Sequence, residues 1–531
     1  MAEEELLPDV FPWRTRNETY LGAALPEHLT GSEPGLWTGL YGQVCDPMAK
    51  LVPEGPQLKT ETLPGRRVES GVHPLVVPAG SVLPVMALAP SDLRLTGSLV
   101  GAIPLPPRRW RHLRFEEPFS GHAHITAPVV FGASLSRGEQ PQASPLVLMI
   151  FIDGLSQVVL KDAGEPGLMP QTSSFFEQGL RFSNCYATAE WTLTNVASAL
   201  TGLYASRHNM FHPRRPMALP PEPLISERMR SVGYTTVSVG ANWRATPAYG
   251  YARGFDRTIY QKNLPGAQVV SDLIDQLTSL GDRAVFAYAS FMDIHWKCED
   301  SLPDITVQTA KPLGPQLREP LPDSLMPMYQ GGYDLENITA YEPQIRKLDR
   351  TLGVLFDYLT THYADFTVLL FSDHGQSFNS RFTHSWELSD VRLRVPLMVR
   401  GPGVPVGRPE EFVELVDIPN ILFAAAELSS ADWKIDGRLP ACLGGTARPY
   451  VYSETRYPGR LFRAAITERD KKYLMCSVGK VDDAGYFELG QAHRLAYQLG
   501  SEEGQIHELP WDERYTQVIV ERAGTWIKET H

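Results

Sequence analysis

The sequence predicts an α/β fold with a doubly wound, mostly parallel central sheet and helices on both of its faces. Near-continuous apolar runs predict buried strands at 146–152, 235–240, 284–292, 367–372 and 396–401. Between the third and fourth runs, apolar side chains recur on one helical face at Ile345, Leu348, Leu352, Leu355, Phe356 and Leu359. Strands that are apolar throughout and alternate with amphipathic helices are typical of a parallel sheet that is covered on both sides.

The first 140 residues differ from the rest of the chain. Prolines are frequent there, and short β-prone pieces at 73–88 and 122–135 are separated by turn residues. We therefore expect a β-rich N-terminal accessory domain over 1–140. The polar, proline-bearing segment Ser136–Pro145 is a plausible boundary. The main α/β domain is expected over 141–445, and a small C-terminal subdomain over 446–531.

Length and composition exclude several classes of protein. A chain of 531 residues exceeds what one hydrophobic core usually organises, and 43% apolar with 21% charged residues excludes wholesale disorder. A net charge of −12 disfavours binding to nucleic acid or to an anionic membrane. Five scattered cysteines without a CxxC pair favour neither a disulfide scaffold nor a thiolate metal site.

The N-terminal residues MAEEELLPDVFPWR carry no apolar targeting segment, and the longest apolar run, Leu146–Ile152, is too short to span a bilayer. We expect a soluble, cytoplasmic protein without a membrane span. The sequence does not predict the oligomeric state.

Three predicted strands end in aspartate, at Asp153, Asp293 and Asp373. In an open α/β sheet, ligands bind beyond the carboxyl ends of the strands, so the three carboxylates are expected around one cleft. Three unpaired carboxylates in one cleft repel one another, and one or two divalent cations would offset that repulsion. Taken singly, each aspartate is more often a helix cap or a turn former.

Histidines stand close to these aspartates in the sequence. His374 adjoins Asp373, His295 lies two residues after Asp293, and His384 follows in a loop rich in small and polar residues. A mixed Asp/His set without thiolates suits zinc, or manganese as the harder alternative.

A candidate nucleophile, Thr192, begins a helix-compatible run that reaches Gly202. A hydroxyl at a helix start lies beside free backbone N–H groups and the positive end of the helix dipole, which favours an anionic substrate. Beside a divalent cation such a hydroxyl ionises more readily. Taken alone, Thr192 is better explained as a helix cap.

From about Leu146 to Leu509 the chain resembles the alkaline phosphatase superfamily, in its sulfatase and nucleotide pyrophosphatase/phosphodiesterase branches. The motifs that carry the resemblance follow one another in the family's order: FIDGL, MPQTSSFFEQGLRFSNCYATAEWTLTNVASALTGLYASRHN, FMDIHW, FSDHG, THSW and RVPLMVRGPGV. Further on, ELVDIPNIL, YVYSE and the segment from KKYLM to GQIHEL resemble the C-terminal part of sulfatases.

The resemblance implies a role for each matching residue. Ligands of a first metal ion would be Asp153, Thr192, Asp373 and His374, and a second ion would be held by Asp293, His295 and His384. The resemblance thus implies two divalent ions, with zinc expected and manganese or calcium as alternatives.

Thr192 stands where sulfatases carry the cysteine or serine that becomes formylglycine. In the phosphodiesterase branch a threonine at this place is the direct nucleophile, in a T-x-P-N motif that resembles Thr192-Leu193-Thr194-Asn195. Asn195 would then bind a phosphoryl oxygen.

Some details depart from the family pattern. Asp293 and His295 are two residues apart, whereas the phosphodiesterase branch spaces the corresponding pair by four, so Asp293 could instead orient His295. Cys185 lacks the C-x-P-S-R context of a formylglycine site, and packing explains it better. The roles of His208 and of the basic group His212, Arg214 and Arg215 stay open.

The resulting hypothesis is a metal-dependent hydrolase of phosphorus esters, which acts on a small anionic ester substrate through a covalent phosphothreonine at Thr192. A phosphoryl transferase would use the same residues. A sulfatase and a non-catalytic metal-stabilised binding protein are further alternatives. The long proline-rich segment 297–335 is expected to wall the cleft and to contribute to specificity.

Overall fold

A computed structural model describes the chain over residues 24–25, 27–30, 35–41, 59–97, 101–135, 144–162, 164, 167–212, 219–242, 244–281, 283–295, 335–376, 388–499 and 507–528. The predicted cleft wall at 297–335 lies outside these residues, except for Leu335, with which a helix begins. His384, Arg214 and Arg215 also lie outside them.

The strands, in chain order, are β1 (Leu36–Tyr41), β2 (Lys59–Val68), β3 (Gly71–Val77), β4 (Ser81–Ala87), β5 (Ser91–Leu95), β6 (Ile103–Leu105), β7 (Trp110–Phe115), β8 (Phe119–Ile125), β9 (Val129–Gly132), β10 (Leu146–Ile152), β11 (Leu180–Tyr186), β12 (Thr235–Gly240), β13 (Arg257–Tyr260), β14 (Val285–Phe291), β15 (Thr367–Ser372), β16 (Arg394–Arg400), β17 (Phe412–Glu414), β18 (Val451–Thr455), β19 (Leu461–Thr467), β20 (Lys471–Lys480), β21 (His493–Gln498) and β22 (Glu508–Leu509).

The α-helices are α1 (Glu27–Thr30), α2 (Gln157–Asp162), α3 (Pro170–Phe175), α4 (Thr192–Thr201), α5 (Ala205–His208), α6 (Ile225–Ser231), α7 (Gly266–Leu280), α8 (Leu335–His362), α9 (Asp390–Leu393), α10 (Ile418–Ala425) and α11 (Glu513–Ala523). Short 3-10 turns cover Phe176–Gln178, Pro247–Tyr249, Leu415–Asp417, Ala441–Leu443 and Gly524–Trp526. None of the helices in the described part of the chain is long and apolar enough to cross a membrane.

The central sheet has a parallel core in the order β13-β12-β14-β10-β15. β16 runs antiparallel to β15, and β11 and β17 continue the sheet beyond it. β10 lies in the middle, where Ile150 pairs with Ala289 on one side and with Leu370 on the other. The prediction of a mostly parallel α/β sheet is confirmed, and all five predicted strands form within two residues of their expected bounds.

Both faces of the central sheet are buried. In β10, Val147, Met149 and Phe151 point into one apolar core, which also contains residues of α4 and α10. Leu148 and Ile150 point into the opposite core, which contains residues of α7 and α8. Burial of one such side chain stabilises the fold by about 1.5–3 kcal/mol. Apolar residues at every position are therefore required in β10, which explains its unbroken apolar run.

The N-terminal region is rich in β-strands, as predicted. A four-stranded sheet has the order β3-β8-β5-β6, and β2, β9, β4 and β7 form a second set of antiparallel strands. β2 also pairs antiparallel with β13, where Thr62 lies opposite Thr258. The central sheet thus continues into the N-terminal region and reaches thirteen strands in total among the described residues. The expected division at residue 140 remains a prediction.

The C-terminal part of the chain forms a five-stranded antiparallel sheet, β18-β19-β20-β21-β22, packed against α11. Its first strand contacts the segment that precedes α4: the N–H of Glu454 donates to the Thr188 carbonyl over 2.8 Å, and the Ser453 hydroxyl donates to the Ala187 carbonyl over 2.6 Å. This sheet therefore supports the segment that leads into Thr192.

Candidate active site

Two adjacent parallel strands of the central sheet end in aspartate, at Asp153 after β10 and at Asp373 after β15. Asp153 is followed by Gly154, whose φ of +82° lies in the left-handed region that favours glycine. This turn lets the Gly154 N–H donate to Asp373 Oδ1 over 3.2 Å. Each aspartate is about 1% exposed or less, so the two carboxyl groups face each other in a buried cleft.

Thr192 is the first residue of α4, and its hydroxyl lies between the two strand ends. Thr192 Oγ1 is 3.2 Å from Asp153 Oδ2 and 3.3 Å from His374 Nε2. The preceding Trp191 has an extended backbone, so the helix begins at Thr192. The hydroxyl therefore lies beside the unpaired N–H groups at a helix N-terminus, where negative charge is stabilised.

His374 presents one ring nitrogen to this group. Its Nδ1 donates to the Gly375 carbonyl over 3.0 Å, because a carbonyl can only accept, and Nε2 therefore carries the free lone pair. Nε2 lies 3.6 Å from Asp153 Oδ1 and 3.4 Å from Asp373 Oδ2. Across the cleft, His295 Nε2 lies 3.5 Å from Asp153 Oδ1.

One set of candidate metal ligands results within the described residues: Asp153, His295 and His374, whose ligand atoms all lie within 4.8 Å of one another. Asp153 Oδ1 and Asp373 Oδ2 are buried and accept no hydrogen bond from any described residue. Buried carboxylate oxygens normally have such partners. Two carboxylates with unused oxygens and two imidazoles suit a divalent cation.

The electrostatics of the group agree with this fit. Burial raises the pKa of Asp153 well above its usual value, and the nearby charge of Asp373 raises it further. Burial also raises the pKa of Asp373, to about 7. The pKa of His374 is lowered to about 3, mainly by burial and then by the charge of Arg392. Neutral imidazole is the form that binds metal, and a cation would offset the repulsion between the carboxylates.

Asp293 does not join this group. Its Oδ1 accepts a hydrogen bond from the Gly266 N–H over 3.0 Å, so its carboxylate stabilises the N-terminus of α7. A Cβ atom at residue 266 would lie 2.7 Å from Asp293 Oδ2, which explains the glycine there. The expectation that Asp293 orients the site residue His295 or binds a metal remains a prediction. The structure favours a helix-capping role.

Asn195 lies one turn into α4, and its amide group is fully used inside the protein. Its Nδ2 donates to the carbonyls of Ala189 and Asp373, over 2.7 and 2.8 Å. Its Oδ1 accepts from Thr188 Oγ1 and from the Ala189 N–H. Asn195 therefore fixes the approach to Thr192 and the backbone of Asp373. Binding of a substrate oxygen, as the sequence suggested, would require at least one of the two hydrogen bonds donated by Nδ2 to break.

Asn242 is a site residue that the sequence reasoning missed. It lies two residues after β12, and its Nδ2 donates to Asp153 Oδ2 over 2.5 Å. Its Oδ1 accepts from the backbone N–H of Arg244 over 2.7 Å. Its place just beyond a strand end is the signal in the sequence that marks Asn242.

Arg392 is a second residue that was missed, and it connects the two loops of the site. Its Nη2 donates to the Glu190 carbonyl over 2.6 Å, just before Thr192. Its own carbonyl accepts from the Gly375 N–H over 2.8 Å, just after His374. Arg392 is 2% exposed, so a buried positive charge lies close to the carboxylates. No sequence motif marked it.

The remaining cysteine and histidine candidates lie in surroundings that fit a structural role. Cys185 is fully buried in the apolar core, so the prediction that it packs is confirmed. His208 Nδ1 accepts from the Met210 N–H over 3.0 Å, and His208 Nε2 lies 3.1 Å from Ser198 Oγ. His212 Nε2 lies 3.8 Å from Asp483 of the C-terminal region. Arg214 and Arg215, the other two members of this basic group, lie outside the described residues.

Comparison with known proteins identifies similar sequences and folds. The sulfatase family model matches residues 145–428, which is more than half of the chain. A choline-sulfatase from Rhizobium meliloti is 29% identical over 206 residues, a match that spans 36% of this chain and 40% of the relative. The chain thus covers less than half the length of this curated relative.

Two solved structures show the same fold. The structure of a 2-O GAG sulfatase superposes with a TM-score of 0.52 and 18% identity, covering 71% of this chain and 90% of that one. A phosphonate monoester hydrolase from Silicibacter pomeroyi superposes with a TM-score of 0.50 and 15% identity, covering 71% of this chain and 94% of that one.

Proposed function

We propose that this chain, which belongs to the sulfatase family within the alkaline phosphatase superfamily, hydrolyses small anionic phosphorus esters through a covalent phosphothreonine at Thr192. The observation that carries the proposal is the position of the Thr192 hydroxyl, 3.2 Å from Asp153 and 3.3 Å from His374. A nucleophile within hydrogen-bond reach of a base is the arrangement that covalent catalysis requires.

The chemistry of threonine favours phosphorus over sulfate esters. A cysteine or serine can be oxidised to an aldehyde because its Cβ carries two hydrogens. The Cβ of Thr192 carries a methyl group instead, and its oxidation would give a ketone. Thr192 is therefore suited to attack as an unmodified alcohol. The covalent ester that it forms must then be cleaved by water at the phosphorus atom.

The reaction has two steps, formation of the phosphothreonine and its hydrolysis. In the first, Thr192 Oγ1 forms a bond to phosphorus, the bond from phosphorus to the leaving oxygen breaks, and the proton of Thr192 passes to Asp153 Oδ2. The leaving oxygen takes a proton from solvent and departs as an alcohol, while Asp153 keeps the proton of Thr192. In the second, water attacks the same phosphorus atom and gives up a proton to solvent, the bond from phosphorus to Thr192 Oγ1 breaks, and Oγ1 takes its proton back from Asp153 Oδ2. The helix N-terminus at Thr192 stabilises the negative charge that builds up on the phosphoryl oxygens.

A divalent cation fits the group formed by Asp153, Asp373, His374 and His295, and when bound it would acidify the Thr192 hydroxyl and offset the charge of the ester. Two imidazoles among the ligands favour zinc or manganese over calcium, which prefers oxygen ligands. For a second ion the family resemblance offers His384, with Asp293 as a further candidate ligand.

A sulfate ester is the second candidate substrate, because a choline-sulfatase is among the relatives. Transfer to an acceptor other than water is a third outcome that the same residues would allow. The test is a panel of aryl phosphate monoesters, diesters, phosphonate esters and sulfates, assayed with metal-replete protein. We expect turnover of at least one phosphorus ester and slower or no turnover of aryl sulfate.

The covalent intermediate gives a direct readout. Rapid acid quenching during turnover, followed by peptide mass spectrometry, should detect a phosphorylated peptide that contains Thr192. Preferential turnover of aryl sulfate, with no phosphopeptide, would replace the proposal by sulfate-ester hydrolysis. A product that carries the phosphoryl group on an added alcohol would indicate transfer.

A further inference from the structure

Strands β11 and β16, the second and third strands from the β17 end of the central sheet, carry charged side chains on one of their two faces. In β11, Leu180 and Phe182 point into the apolar core, whereas Arg181 and Ser183 point to the opposite face. In β16, Val395 and Leu397 are buried in the same core, while Arg394 lies on the charged face. The two faces of these strands therefore differ, since one is apolar and the other carries half-buried arginines.

A cavity of about 570 Å³ lies on this charged face, between the strands and the short helix α2. We call it the edge cavity, and define it by the charged residues that line it: Lys161, Arg181, Arg394, Arg408, Glu410 and Arg469. Its volume falls within the range of sites that hold small molecules. None of these residues belongs to the active-site group around Thr192.

The charge of the edge cavity contrasts with that of the whole chain. Its described lining carries five basic side chains and one carboxylate, although the chain has a net charge of −12. The carboxylate of Glu410 pairs with Arg469 over 2.7 Å. Arg394 donates to the Ser183 carbonyl and to Asn184 Oδ1, both of which are neutral oxygens. Within the described lining, basic side chains therefore outnumber carboxylates.

We propose that the edge cavity is a second ligand site, distinct from the active site, that binds a small organic polyanion with two or three sulfate, sulfonate or phosphate groups. Guanidinium groups bind such oxyanions through paired N–H donors, and four of the five basic residues are arginines. The aliphatic side chains of Leu160 and Met398 also line the cavity and suit the carbon skeleton of such a ligand. This inference does not depend on the reaction proposed for Thr192.

Naphthalenetrisulfonate is a suitable probe, because its carbon–sulfur bonds contain no ester to hydrolyse. Its binding to the full chain carrying Thr192→Ala is measured by isothermal titration calorimetry, with naphthalenemonosulfonate as the singly charged comparison. Fructose bisphosphate forms a second arm, which distinguishes phosphate from sulfur oxyanions. We expect binding of at least one polyanion that weakens as the salt concentration rises.

The deciding variant is Lys161→Gln/Arg408→Gln, which removes two exposed charges from the edge cavity and leaves the half-buried arginines in place. The matched control is Arg111→Gln/Arg114→Gln, which removes two exposed charges from β7. The first pair should weaken binding about tenfold or more, and the control less than about twofold. Arg181→Gln provides an independent second variant. The proposal would be overturned if the two double variants bound the polyanion with equal affinity. It would also be overturned if the protein bound naphthalenetrisulfonate no more tightly than naphthalenemonosulfonate.

Discussion

The Thr192 hydroxyl lies 3.2 Å from Asp153 Oδ2, although 39 positions separate the two residues in the chain. The contact exists because β10 ends at Ile152 and α4 begins at Thr192, and both ends face the same cleft. A hydroxyl held against a buried carboxylate at a helix N-terminus has both a proton acceptor and a stabilised negative charge beside it.

Replacement of Thr192 by alanine should abolish the nucleophile. We expect a loss in kcat of about 1,000-fold or more on the best phosphorus ester, because attack by water would have to replace covalent catalysis. Thr192→Ser keeps a hydroxyl and should retain much more activity. Both variants should keep the wild-type melting temperature within a few degrees, which circular dichroism would test. Normal turnover by the alanine variant would contradict the assignment.

The content of bound metal in two variants should distinguish the role of Asp153 from that of Asp293. We expect Asp153→Asn to lose most of the bound divalent metal, because it removes a carboxylate from the ligand group. Asp293→Asn is the matched control: it should keep the metal, because the Asp293 side chain contacts the N-terminus of α7. Elemental analysis of the purified proteins provides the measurement. Equal metal loss in both variants would assign Asp293 to the metal site after all.

Asn195→Ala should destabilise the fold by about 2–3 kcal/mol, because the Ala189 N–H and the carbonyls of Ala189 and Asp373 would lose their buried partner. Urea unfolding followed by tryptophan fluorescence measures this change. Asn195→Asp, of similar shape, tests whether the amide donors matter. An unchanged unfolding free energy with an increased KM would instead favour the substrate-binding role.

His208 should make the fold less stable in mild acid. Burial lowers the pKa of His208 from 6.5 to about 3. Below about pH 6.5 the unfolded chain therefore binds a proton that the folded chain does not. The free energy of unfolding should decrease, as the pH falls, by up to about 1.4 kcal/mol per pH unit from this residue.

The His208 contribution can be isolated by a variant. His208→Gln removes the titrating ring, so the difference in unfolding free energy between wild type and variant should shrink between about pH 7 and about pH 5. Urea unfolding at the two pH values measures it. A difference that stays constant with pH would show that His208 does not respond in this way.

The apolar runs predicted the central sheet well, because β10 and its neighbours β14 and β15 are buried throughout and carry no charged residue. The rule that ligands bind beyond strand ends predicted that Asp153, Asp373 and His374 lie together at the carboxyl edge of the sheet, and the structure places them there. It could not separate Asp293 from them, since an aspartate at a strand end serves a helix N-terminus as readily as a cation.

Other parts of the site depend on long-range contacts that carry no local pattern. Arg392 reaches Glu190 across about 200 positions of sequence, and only the folded chain shows that its charge lies near the carboxylates. Asn195 follows the family motif, yet its amide is committed to Ala189 and Asp373 by the path of the backbone. Hydrogen-bond satisfaction of this kind is settled by tertiary structure.

The hydrogen bonds from Ser453 and Glu454 to the segment before Thr192 limit how this enzyme can be engineered. A chain shortened before β18 would leave two backbone carbonyls upstream of the reacting hydroxyl without donors. Exchange of the last eighty or so residues with those of a homologue would therefore alter turnover unless both donors are kept. Libraries that exchange this C-terminal region should place their crossover after Thr455.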